Sequence, residues 1–212
     1  MITVLLGGAR RWVWLVWGGL AVTLALLLWL SPAERTLGQA VKLVYLHGAL
    51  VRTATFLFAI SLPVNLGALI VGRGGWLAWG KALVWTAVIV WLAHTLFSIV
   101  TTYATWGVLV AWFEPRTRFT FTLAAVGIVV LAVARLVDTP RFSALAFALL
   151  AGLTLVLAPR LGAIQHPLNA IGSSPSSTIR TFYAAILAVS LVMGGLMVLW
   201  FQSRFILGRD AR

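Results

Sequence analysis

The chain contains no cysteine. Disulfides, thiolate metal sites, thioether-linked prosthetic groups and thiol chemistry are excluded together. Acidic residues are almost as scarce, four among 212 and well separated, so no zinc or two-metal spacing can be assembled from them. Charged residues of both signs make up 9% of the chain, where a soluble domain carries about a quarter. Also missing are a nucleophile elbow, a phosphate loop, a dinucleotide fingerprint, an internal repeat and a separate soluble domain. This leaves a chain that is 62% hydrophobic with a mean hydropathy of +1.04.

The apolar residues fall into continuous runs, not alternating ones, which argues for helices and against a transmembrane barrel. Roughly 20 helical residues cross a hydrocarbon layer of about 30 Å. Six spans are expected, at about 12–30, 43–71, 77–104, 119–137, 142–158 and 179–207, as a single all-α integral membrane domain. Ser31-Pro32, Gly72 to Gly75, Asp138-Thr139-Pro140 and Pro159 punctuate them, and Ser176 to Thr178 offer hydroxyls to cap the last. The first run lacks a small-residue cleavage site and reads as a retained helix, not a removed signal.

Six spans place both termini on one side and the first, third and fifth loops on the other. Nine Lys and Arg lie near the terminal side and seven near the opposite side. That balance votes for cytoplasmic termini in a cell (inner or plasma) membrane. Seven cations on the translocated side run against the usual bias, which points to a bound anion there. The net charge of +12 does not mean nucleic acid, because the basic residues stand singly at span ends, suited to anchoring and to anionic headgroups of the lipid bilayer.

Three stretches gather polar chemistry on the odd-numbered loops. Tyr45-Leu-His47-Gly-Ala opens the second span, with Arg52 five residues on. Trp106 to Arg118 packs Trp106, Trp112, Phe113, Glu114, Arg116 and Arg118 into thirteen positions. Gln165-His166-Pro167 lies in the fifth loop, with Arg180 just beyond it. A charge inside an apolar helix, such as Arg52, has a partner or a function. Two imidazoles beside an aromatic platform, with arginines at the rim, suit a planar, apolar dianion, and haem is such a ligand. His47 and His166 are the candidate axial metal ligands. Trp106 and Trp112 are the stacking surface, and Arg52, Arg116 and Arg180 the propionate partners of a b-type haem. His94, midway along the third span between Trp91 and Phe97, stands apart from this set. It reads either as a neutral imidazole bonded to a neighbouring helix or as a further haem or quinone contact.

At these residues the chain resembles the haem-handling membrane proteins of cytochrome c biogenesis, the CcmC/CcsA type. In that family a Trp-rich outer loop ending in Trp-Asp-x-Arg is flanked by two histidines that ligate haem during its transfer to apocytochrome. Tyr45-Leu-His47-Gly-Ala is similar to the segment of the first histidine. Trp106-Gly107 and Trp112-Phe-Glu-Pro-Arg116 are similar to the ends of the Trp-rich motif, and His166 falls where the second histidine belongs. The resemblance spans roughly residues 40–205. Val108-Leu-Val110 departs from it in lacking tryptophan, and Glu114 in replacing and displacing the aspartate. It implies a non-enzymatic haem-binding protein that works with other cytochrome c maturation or electron-transfer membrane subunits. Two alternatives stay open: a structural or docking subunit of a respiratory or photosynthetic complex, and a transporter or quinone site built on His94 and Asn65.

Overall fold

A computed structural model describes residues 2–72, 74–165, 171–172 and 174–210. Among them the chain forms α1 (Ile2–Leu30), α2 (Val41–Val71), α3 (Gly74–Trp106), α4 (Pro115–Val137), α5 (Pro140–Leu157) and α6 (Ser177–Asp210), with a 3-10 turn at Ala158–Arg160 and no strand. Each of the six helices holds a stretch long and apolar enough to cross a membrane. The protein is an all-α, multi-pass membrane bundle of six helices.

Helix ends follow local chemistry more closely than hydropathy does. The fourth helix, expected from about 119, begins at Pro115, so Arg116 and Arg118 sit on its first turn and not in a loop. Proline suits that position because its fixed φ is helical and its missing N–H would have had no partner there. At the other end Asp138 takes a left-handed φ of 46°, and its N–H closes on the Ala134 carbonyl. Gly72 ends α2 in the same way at φ 65°.

In lipid no hydrophobic force draws helices together, so close packing and polar contacts must do so. α3 is the most enclosed span, packed on α2, α4, α5 and α6, whereas α1 leans mainly on α6 and buries none of its apolar stretch. An aromatic column ties the centre: Phe58 of α2 to Trp91 of α3 at 6.3 Å, and Trp91 edge-on to Phe119 of α4 at 6.0 Å. The Trp91 indole N–H donates to the Thr120 carbonyl at 3.0 Å, which fixes α4 against α3.

Gly80 sets how closely α2 and α3 approach. A Cβ there would run into the Asn65 side chain, lying 2.8 Å from its Cγ and closer still to Oδ1. Asn65 is fully buried and its amide donates to the Ser61 carbonyl at 2.8 Å, so it has nowhere to retreat. Gly80→Ala is therefore expected to destabilise the bundle by about 1–3 kcal/mol, the usual cost of overpacking. Gly75→Ala, where a Cβ meets nothing within 4 Å, should stay within about 0.5 kcal/mol of the parent. Unfolding in mixed micelles would measure both.

Candidate functional site

The odd-numbered loops converge as the parity of the spans requires. A cavity of about 740 Å³ opens among them and runs down between α2, α3, α4 and α6. Its size falls within the range of about 300–1,000 Å³ typical of cofactor sites. Four of the residues singled out in the sequence line it together: His47, Arg52, Trp106 and Arg116. Two do not. Trp112 is more than half exposed and stacks on Phe121 at 5.0 Å. Arg180 spends its guanidinium on the Ser174 carbonyl at 2.7 Å, buttressing the rim from outside. His166 lies outside the described residues.

His94 joins the cavity, although the sequence reading set it apart. It is 3% exposed, and its Nδ1 lies 3.3 Å from the His47 carbonyl oxygen, so the neighbouring helix is its partner. The two imidazoles are in ring contact, with centroids 4.3 Å apart, and Trp91 meets His94 edge-on at 5.3 Å. The helical stripe below them was a readable signal: Ser98, Thr101, Thr102 and Thr105 follow His94 on one side of α3, and all line the cavity. Asn65 is not part of it. It lies eighteen residues from His47 along α2, roughly 27 Å at 1.5 Å per residue.

Arg52 finds its partner in Tyr183 of α6, its guanidinium 6.0 Å from the ring centroid and also on the cavity wall. Gly48 leaves room for that tyrosine, since a Cβ would stand 3.2 Å from its hydroxyl. The positive charge is offset in part by Glu34, also on the wall. The Glu34 carboxylate accepts the amides of Leu37 and Thr36 at 2.9 and 2.8 Å. These bonds hold its pKa below the ordinary 4.5.

Glu114 accounts for the altered acidic position of the Trp-rich stretch. It occupies the N-cap site of α4, yet its carboxylate turns away from that helix. It is 1% exposed and accepts the backbone amides of Ile164, at 3.2 and 3.1 Å, and of Gln165, at 3.0 Å. Ile171, also buried, packs with Val41, Tyr45 and Ile186. The fifth loop is thus fastened on both sides of the segment that carries His166, and Leu161 and Ile171 line the cavity. Among the described residues no three His, Cys, Asp or Glu side chains come together, so any metal held here relies on imidazole with few anionic ligands.

No protein-family model matches this chain. A search of curated proteins likewise returns no significant match. The site therefore has to be read from its own geometry.

Two expectations follow. Glu114→Gln removes the charge from bonds worth about 1.5–3 kcal/mol each. Amide hydrogen exchange at Ile164 and Gln165 should accelerate tenfold or more, while the amides of α5 stay protected. For Glu34 the folded pKa is the lower one, so its turn is fully stabilised above the unfolded value and loosens as pH falls through the folded one. Protection of the Thr36 and Leu37 amides should survive through the ordinary carboxylate range and fail only below it.

Proposed function

We propose that the protein is a membrane haem-handling protein of cytochrome c assembly, holding b-type haem as cargo in this cavity for delivery to apocytochrome. The observation that carries the reading is the single cavity shared by one imidazole ligand, His47, two arginines, Arg52 and Arg116, and an indole, Trp106. Haem bound there supplies an iron with axial positions for nitrogen donors and two carboxylates for cations. A volume of about 740 Å³ bounded by helices suits a macrocycle. Trp106 and Trp91 offer flat apolar walls, and the arginine pair offers charge-assisted hydrogen bonds to carboxylates.

The contact between His47 and His94 constrains the ligand set. Rings 4.3 Å apart leave no space for a porphyrin between them. They cannot be the two opposite ligands of one iron, and His94 acts instead as a backing for His47. A second imidazole must come from elsewhere, and the fifth loop carries the chain's remaining histidine, His166, next to the residues that Glu114 fastens. In this reading the cavity faces the outer side of the cell membrane and the protein holds its cargo without making or breaking bonds. Partner subunits of the maturation machinery would accept it.

Protein purified from haem-replete cells should show a reduced-minus-oxidised difference spectrum of b type. His47→Ala should lose that signal by about tenfold or more at unchanged thermal stability. A haem-free wild-type protein that takes up no added haem would overturn the assignment. In that case the rival reading, a docking subunit of a larger electron-transfer complex, predicts co-purification at fixed stoichiometry.

A further inference from the structure

Hydroxyl side chains inside apolar helices normally turn back on their own helix, donating to the carbonyl four residues earlier. This chain follows that habit repeatedly. Thr55, Thr86, Thr95, Thr101, Thr105, Thr154 and Ser190 all do so at 2.7–2.9 Å. Four cavity residues break it. The hydroxyls of Ser98 and Thr102 on α3, and of Thr117 and Thr120 on α4, make no hydrogen bond among the described residues. Each of the four residues is more than nine-tenths buried, at 7% or 8% exposure.

Their spacing is that of two rows on the wall of one cavity. Ser98 and Thr102 are four apart on one side of α3, and Thr117 and Thr120 three apart on one side of α4. Arg116 lies beside the second row on the same wall. The helix itself contributes: this is the N-terminal turn of α4, where amide dipoles point positive charge at the cavity. Their residues are buried but their hydroxyls face the cavity, where they are free to bond a group placed there. A set of donors next to a guanidinium and a helix N-terminus is matched to a carboxylate.

We propose that the α3–α4 wall, with Ser98, Thr102, Thr117, Thr120 and Arg116, is the seat for the carboxylate edge of the bound tetrapyrrole, and that it selects free acids over esters. The proposal rests on the haem reading above and adds to it which edge of the ligand enters, and where. It places the carboxylates between the loop-facing ends of α3 and α4 and not beside Arg180.

Metal-free protoporphyrin and its dimethyl ester are the probes, their binding to the full-length purified protein followed by porphyrin fluorescence. The free acid should bind at least tenfold more tightly than the ester. In Ser98→Ala/Thr102→Val/Thr117→Val/Thr120→Val that preference should fall to threefold or less while ester binding is kept, which also shows that the variant is folded. If the fourfold variant fails to fold, the α3 pair and the α4 pair are tested separately, and each should lower the preference several-fold. A preference unchanged by these substitutions overturns the seat. Equal binding of acid and ester by the wild type, with a His47-dependent b-type spectrum still present for iron protoporphyrin, also overturns it and leaves the haem reading standing. If neither porphyrin binds and no b-type spectrum forms, both proposals fall.

Discussion

A hydrocarbon layer offers no water to a polar group, so each one within it must find a partner in the protein or face a cavity. Most of this chain obeys the first option with the shortest bonds available. Threonines fold back on their own helices, Asn65 reaches the Ser61 carbonyl, and the Trp91 indole reaches across to Thr120. Lys42 places its ammonium on the Trp29 carbonyl, satisfying the C-terminal end of α1. Among the described residues the second option is taken in the space between α2, α3, α4 and α6 near the odd-numbered loops, while Thr53 Oγ1 and Asn65 Oδ1 are buried elsewhere without a partner. Most polar groups that look dispersed in the sequence follow one of these two solutions.

That division gives the cavity both its chemistry and its rigidity. Its walls are helices, and the close approach of α2 and α3 at Gly80 and Asn65 fixes the pair that carries His47 and His94. α2, α4 and α6 begin at this face and α1, α3 and α5 end there, so the helix dipoles largely offset one another and the cationic character of the cavity comes from Arg52 and Arg116. The fifth loop is the one irregular wall, and Glu114 and Ile171 hold it from either end. A carboxylate that reads in the sequence as a displaced ligand-motif residue works here as a fastening for backbone amides.

The paired imidazoles show how packing restricts function. Two histidines in ring contact across α2 and α3 both stand on the cavity wall, with Nδ1 of the more buried His94 3.3 Å from the His47 carbonyl oxygen. The His94 ring also lies against Trp91, which is bonded to α4. The orientation of His47 is therefore tied to three helices at once. Such backing holds a side chain in place better than a loop does.

The sequence by itself determined the membrane bundle, the six spans and the face on which the chemistry gathers. Each of these follows from run length and parity, which are properties of a chain crossing a slab. It also marked His47, Arg52, Trp106 and Arg116, because a polar residue in an apolar run stands out without coordinates. Only the tertiary structure decided that His94 belongs with them, that Trp112 and Arg180 stand outside, and that Glu114 ties the third loop to the fifth. It alone separated the hydroxyls that turn inward on their helices from those that face the cavity. Those distinctions depend on the rotation of each helix about its axis and on contacts between residues fifty positions apart, and hydropathy along the chain carries neither.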